Sequence, residues 1–233
     1  MSTHPTARAL GGSDAADGFL EAVGPEAAAA FRGRATARRY VRGEALMHAG
    51  QVPRDVFLLR GGRVKVSAST SAGRHFLLAV RGPGDLVGEL SALDDLPRSA
   101  TIEALEAVDA LVLQHADFRA VLAQHPEAAM GLLRMLSARL RDADAKRIQL
   151  AGYTALGRVA FCLLELCERF GEQREGAVEI VLPLSQEELA GWAGASLESV
   201  ARALAQMREL GWIETRRRAI RVLDREALRG ATA

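Results

Sequence analysis

At 233 residues the chain has room for one large domain or two ordinary ones. Its composition, 49% hydrophobic and 25% charged with a formal net charge of +1, is globular, and so near-neutral a balance leaves any nucleic-acid function to rest on local charge. No run approaches the ~20 apolar residues of a membrane span, and residues 1–18 lack a signal peptide's apolar centre, so the expected location is the cytoplasm.

Residues 1–18, small and polar, read as a disordered tail, with a first domain expected over 19–125. From about Arg38 to His115 glycines recur at 43, 50, 61, 62, 73, 82, 84 and 88, separating the short runs VFLL at 56–59, RVKVSA at 63–68 and HFLLAV at 75–80. Regular turn signals between short strands indicate a sandwich, barrel or jelly roll. Tandem hairpins are expected to turn at Gly61–Gly62 and at Ser71–Ala72–Gly73. Near the end of this region GELSALDDLPRSA, residues 88–100, sets Glu89 and Arg98 in an otherwise apolar stretch of strands. Charges in such a place need a partner, and here it is each other, water or a ligand.

The period changes after His115. From Pro126 to Leu150, Ala129, Leu132, Leu133, Leu136, Leu140, Ala143, Arg147 and Leu150 recur every three or four residues, a seam for a partner helix. The seam packs on its own domain or, as a length of ~37 Å at ~1.5 Å per residue favours, on a second copy of the chain. Gly152 interrupts the pattern, so 126–152 reads as a dimerisation helix and hinge. Thr154 caps the next helix, TALGRVAFCLLELCERF, whose Cys162 and Cys167 read as core thiols. The histidines, at 4, 48, 75, 115 and 125, show no ligand spacing, so no metal site is expected. GEQREGA reads as a turn-rich connector before the β-like VEIVLPL.

The strongest local signal is SQEELAGWAGASLESVARALAQMRELGW at 185–212. Ser185 and Glu188 form a capping box, Gly194 suits a left-handed turn, and Ser196 caps a second helix with Val200, Leu204 and Met207 inward. Two helices around a short glycine turn make a helix-turn-helix. GWIETRRRAIRVLD then reads as two strands around the basic turn Arg216–Arg217–Arg218, a wing for backbone phosphates, with five arginines against two glutamates from Met207 to Arg221. On the second helix Glu198 and Arg202 share a face. In a major groove Arg takes guanine O6 and N7 and Glu accepts from cytosine N4, while Ser196 and Ser199 are placed to donate to phosphates.

A β-roll, a long seam helix and a winged helix-turn-helix, in that order, resemble the cyclic-AMP receptor protein / FNR superfamily of bacterial transcription regulators. The resemblance covers residues 20–228 and rests on GDLVGELSALDDLPRSATIEA, the HPEA start of the long helix, GRVA at 157–160 and LSQEELAGWAGASLESVAR. It implies an α+β chain: an N-terminal cyclic-nucleotide-binding-type β-roll (jelly roll), the dimerisation helix, and a C-terminal winged helix-turn-helix over 153–233. The implied function is a homodimeric, sequence-specific regulator rather than an enzyme. It would read a near-palindromic double-stranded DNA site, act with RNA polymerase, and answer to a cyclic nucleotide. A regulator of the same fold that binds DNA constitutively, with a vestigial pocket or another ligand, is the alternative.

By the same resemblance Glu89 accepts from the ribose 2′-hydroxyl, Arg98 and Ser99 hold the cyclic phosphate, Gly88 and Leu90 give backbone contacts, and Arg139 reaches in from the long helix. Where cyclic-AMP members carry adjacent hydroxyls on that helix, this chain has Ala143 and Asp144. An ionised Asp144 only accepts, so it suits adenine's amine or guanine's N1–H and amine. Cyclic AMP is the first expectation and another cyclic nucleotide the alternative. The N-terminal cysteine set of an FNR-type cluster is missing, so no cofactor is expected. Leu197 stands where members that read a guanine-rich half-site carry Arg before the Glu, which implies a changed half-site at that base.

Overall fold

Two short helices, α1 (Gly18–Val23) and α2 (Pro25–Arg34), lead into strands β1 (Thr36–Tyr40), β2 (Ala45–Met47), β3 (Asp55–Gly61), β4 (Val64–Ser69), β5 (His75–Arg81) and β6 (Leu86–Val87). Helix α3 (Glu89–Asp94) follows, then β7 (Thr101–Ala104), β8 (Val108–Gln114) and helix α4 (His115–Gln124). The structure, a computed structural model, describes residues 18–52, 54–69, 75–181, 185–216 and 219–232. The expected tail, save Gly18, and the Ser71–Ala72–Gly73 turn lie outside the described residues.

The strands form two antiparallel sheets, ordered β1-β8-β3-β6 and β2-β7-β4-β5. Strand β3 shows why VFLL is apolar at every position. Phe57 and Leu59 point between the sheets, into a cluster with Tyr40, Val64, Val87 and Ile102. Val56 and Leu58 face the other way, into a cluster with Phe19, Phe31, Phe118 and Leu132 from the covering helices. A strand buried on both faces has no polar alternation to show.

Two expectations for this region are corrected. Gly61–Gly62 is not a hairpin turn: β3 pairs with β8 and β6, β4 with β5 and β7, so the glycines carry the chain from one sheet to the other. Gly62 has φ +74°, and a Cβ there would lie 2.1 Å from Ala107 O. Nor is GELSALDD part of a run of strands, because Gly88, at φ 82°, starts the short helix α3.

Helix α5 (Pro126–Gly152) runs 27 residues. Its apolar seam divides. Ala128 and Leu132 are buried, and Met135 and Leu136 half-buried, against the chain's own helical cluster. Met130, Leu133, Leu140 and Ile148 stay exposed. The seam therefore serves its own domain at the start and is left uncovered further on, and the Leu150 side chain lies outside the described set. Gly131 is explained by a close crossing, since a Cβ there would meet Val23 Cγ1 at 2.8 Å.

Beyond α5 come α6 (Ala155–Phe170), β9 (Gly171–Arg174), β10 (Ala177–Ile180), α7 (Gln186–Ala193), α8 (Leu197–Glu209), β11 (Ile213–Arg216), β12 (Ala219–Val222) and α9 (Arg225–Gly230). Thr154 caps α6, its hydroxyl accepting from Gly157 N at 3.2 Å. GEQREGA is not a plain connector: it supplies β9 and the turn Glu175–Gly176, both residues at positive φ, of a hairpin with β10. The resulting sheet is ordered β11-β12-β10-β9. Residues 182–184 of VEIVLPL lie outside the described set. Cys162 and Cys167 are free and buried, and burial pushes their thiols up to about 12 and about 11.

The C-terminal unit is seated on the β-roll. Leu77, Val80 and Leu105 belong to the same apolar cluster as Leu163, Trp192, Val200 and Met207. Lys65 on β4 donates to Glu188 Oε1 on α7 at 2.6 Å and also pairs with Glu103 at 2.9 Å. Lys146 on α5 pairs with Glu165 on α6 and lies 5.9 Å from the Trp192 ring centroid.

Gly62→Ala is expected to lower the thermal midpoint, at a cost on the order of 2–4 kcal/mol, because it adds positive-φ strain to a backbone clash. Differential scanning calorimetry checks it, and Gly43→Ala, with nothing within 4 Å of the new Cβ, should cost less.

Candidate functional site

The GELSALDDLPRSA segment closes around Arg98. Its backbone is fixed first: Arg98 N donates to Gln51 O at 2.9 Å, and Gly50 N donates to Arg98 O at 2.8 Å. The side chain, 5% exposed, then points inward. Nη1 donates to Gly88 O at 2.8 Å and to Ser91 Oγ at 3.0 Å, while Nη2 donates to Asp55 O. Gly88 is required here, since a Cβ would sit 2.9 Å from Arg98 Nη1 and 3.3 Å from Asp55 O.

Every one of those acceptors is neutral. Arg98 forms no ion pair with Glu89, so the mutual pairing left open by the sequence is not what the structure shows. Burial lowers the Arg98 pKa, and the carboxylates of Asp55 and Glu89, neither paired with it, oppose that shift without cancelling it. Among the described residues, these three bonds leave the Nε–H and one Nη2–H without an acceptor, along the edge that fits two oxygens of an anion.

Glu89, also 5% exposed, opens α3 and is held by the long helix instead. Its Oε1 accepts from Arg139 Nη1 at 2.9 Å. Arg139 Nη2 donates to Asp85 Oδ1 at 3.0 Å and to Leu86 O at 2.9 Å. Burial raises the Glu89 pKa, and the guanidinium of Arg139 opposes that rise without cancelling it. Arg81, at the end of β5, is brought down to about 10 by burial and by repulsion from Arg139.

Gly88, Glu89, Arg98 and Arg139 are thus brought together from three elements. Leu90 and Ser99 are exposed. Asp144 is not joined to that group by a hydrogen bond or ion pair; its Oδ1 accepts from Arg147 Nη2 at 2.6 Å. Two participants escaped the sequence reading, Ser91 and Asp85. The S of GELS was the available signal for the first. A carbonyl such as Asp55 O leaves none, because a backbone acceptor has no letter.

The second candidate surface is the helix-turn-helix. Ser185 and Glu188 make the reciprocal capping box, and Gly194, at φ 58°, ends α7 in the left-handed region. Ser196 caps α8, accepting from Ser199 N at 3.1 Å, and its hydroxyl donates to Ser199 Oγ at 2.9 Å. The two serine hydroxyls thus share one hydrogen bond at the start of α8. Glu198 and Arg202 stand on the exposed face of α8 with 3.6 Å between Oε1 and Nη1, and Leu197 beside them is 46% exposed. In the wing, Arg216 pairs with Glu214 at 3.3 Å, while Arg217 and Arg218 lie outside the described residues. Arg221 is mostly covered and turns toward Glu175 and Glu214, and Arg208 bonds Thr215, so part of the basic surplus is structural.

Comparison with known proteins gives matches over both parts. The family profile of the cyclic nucleotide-binding domain matches residues 37–125, and that of the Crp-like helix-turn-helix domain matches residues 157–231. The chain is 34% identical over 211 residues to the CRP-like cAMP-activated global transcriptional regulator of Mycobacterium tuberculosis, covering 91% of this chain and 94% of that protein. It is 34% identical over 174 residues to the cyclic AMP receptor protein of Thermus thermophilus, covering 75% of this chain and 77% of that one. Among solved structures, FixK2 of Bradyrhizobium japonicum superimposes with a TM-score of 0.73 at 26% identity, over 85% of this chain and 98% of that one.

The raised Glu89 pKa makes a sign that can be checked. A carboxyl whose folded value lies above its unfolded one binds more protons when folded, so it contributes a loss of stability as pH rises from the ordinary Glu range through the folded value. Glu89→Gln is expected to remove that fall; urea midpoints of the two proteins across mildly acidic to neutral pH test it.

Proposed function

The chain belongs to the CRP/FNR family of DNA-binding transcription regulators, and on that premise we propose that its β-roll binds a cyclic nucleotide, cyclic AMP first, and that the ligand sets how two copies of α8 meet DNA. The observation that carries this reading is Arg98: a guanidinium buried among neutral acceptors, with a free donor edge, is a site for a phosphate. Gly88 and Leu90 add backbone contacts, Ser99 adds a hydroxyl at the rim, and Glu89 takes a ribose hydroxyl. Arg139 ties this pocket to α5, and Asp144 faces the base from the long helix. A ligand that meets α5 as well as the β-roll can favour one placement of the helix over another, as allosteric control requires.

In this reading the protein is a homodimer. The exposed stripe Met130, Leu133, Leu140 and Ile148 on α5 supports it, because a helix that leaves four large apolar side chains in water has a face to cover. Two recognition helices about one DNA turn apart, ~34 Å, then read a near-palindrome, with the promoter-bound dimer working alongside RNA polymerase in the cytoplasm. Arg202 and Glu198 read base edges, Leu197 makes an apolar contact where a guanine-reading Arg is absent, and Ser196, Ser199 and Arg216 to Arg218 position the phosphates.

The deciding experiment is calorimetric titration of the purified protein with cyclic AMP, cyclic GMP and cyclic di-GMP, repeated on Arg98→Ala. Tight binding of one nucleotide, weakened at least a hundredfold in the variant, is the expected outcome. If none binds while DNA is still bound sequence-specifically, the constitutive reading takes its place, one that the internal Glu89–Arg139 pair at 2.9 Å would also suit. For DNA, Arg202→Ala is expected to cost about 1–3 kcal/mol of discrimination at one base pair of each half-site while leaving non-specific binding in place. An unchanged preference in a randomised-site selection would refute that assignment.

A further inference from the structure

The arginine that holds Glu89 belongs to a longer line of charges that does not stop at the pocket. Arg139 Nη2 donates to Asp85 Oδ1 at 3.0 Å. The other oxygen of Asp85 accepts from Gly82 N at 3.0 Å and faces Arg169 Nη2 at 3.7 Å. Arg169 stands in the last turn of α6, in the C-terminal unit, and its Nη1 is 4.0 Å from Glu165 Oε1 one turn earlier. Glu165 in turn takes Lys146 from α5. The line therefore leaves the β-roll at Asp85 and ends on the helix that leads the DNA-binding unit.

Arg169 has two carboxylates within ion-pair reach, Asp85 on the β-roll and Glu165 on its own helix, and neither contact is a close hydrogen bond. Glu165 Oε2 is moreover buried with no hydrogen-bond partner. A buried acceptor left unbonded is costly, so an alternative placement of Arg169 on Glu165 is available to it. The neighbouring Phe170 ring marks the same joint: it lies 3.6 Å from where a Gly82 Cβ would be, with Arg63 and Arg169 at 5.7 and 5.4 Å from its centroid.

We propose that Asp85 is the coupling residue of this regulator. Resting on the nucleotide reading of the β-roll, the inference is that a ligand hydroxyl takes the place of Arg139 on Glu89, so that the guanidinium, already bonded to Asp85 Oδ1, closes on both Asp85 oxygens. Asp85 then gives up Arg169 to Glu165, and the end of α6 is released from the β5–β6 turn. Asp85 and Arg169 touch no ligand in this scheme; they act as positioning residues between the pocket and the DNA-binding unit. The mechanism has the two discrete arrangements that a coupling path requires, and both are built from side chains already in place.

The test is the ratio of DNA affinities with and without saturating cyclic AMP, measured for the full-length protein and for Asp85→Asn, Arg169→Gln, their double variant and Asp85→Glu. Ligand-free affinity is expected to rise in both single variants, so that the ratio falls at least tenfold toward unity. The double variant should lose no more than either single, and Asp85→Glu should keep the wild-type ratio. Ratios and ligand-free affinities equal to wild type in both single variants would overturn the proposal, as would losses that add in the double variant. If the wild type itself answers to no nucleotide, the preceding reading fails, and the joint is judged by amide hydrogen exchange in ligand-free protein. Exchange at residues 82–85 and 166–170 should then be at least threefold faster in Asp85→Asn and Arg169→Gln than in wild type. Unchanged exchange overturns it.

Discussion

A buried guanidinium with no carboxylate of its own governs the architecture of the β-roll's end. Arg98 is accepted by two backbone carbonyls and a serine hydroxyl, and each constrains a different piece of chain. Gly88 must be glycine, α3 must start where it does to present Ser91, and β3 must begin at Asp55 so that its carbonyl faces inward. Neutral acceptors orient such a cation without neutralising it. A carboxylate in their place would make a finished ion pair with little left to offer an anion.

Glu89 shows the complementary solution. Its carboxylate is buried five residues after the turn glycine Gly84 and would be costly there alone. The long helix supplies Arg139, so the β-roll's stability and the position of α5 are linked through one pair. Because α5 also crosses α1 closely at Gly131 and leads directly into α6, a shift of that helix is felt at both ends of the chain.

Much of this was legible in the letters, for identifiable reasons. Capping signals worked wherever the chemistry is local: Ser185 with Glu188, Thr154, Ser196 and Gly194 all sit where the spacing puts them. Strand existence in 56–80 was also legible, because a short apolar run bounded by turn residues is a property of one strand. Strand pairing was not. Gly61–Gly62 has the composition of a hairpin turn, and only contact with Ala107 from a distant turn shows that the chain changes sheets there. The cover of the α5 seam stayed open for the same reason, since a stripe of apolar residues does not say which of two neighbours covers which part. In the candidate pocket, Glu89 and Arg98 stood out as charges in an apolar stretch and Arg139 through the resemblance, whereas Asp85 and Asp55 entered through geometry alone.

The chain's scarcity of lysine acquires a meaning at the joints. Lys65 and Lys146 are its lysines, against 30 basic residues of both kinds. Lys65 ties β4 to α7, and Lys146 ties α5 to α6, with side chains 19% and 26% exposed. Every side-chain amine the molecule owns is therefore spent holding the β-roll and its helix to the DNA-binding unit. Acylation of lysine, which removes the charge and leaves arginine untouched, would act on this protein's internal joints and nowhere else along its side chains.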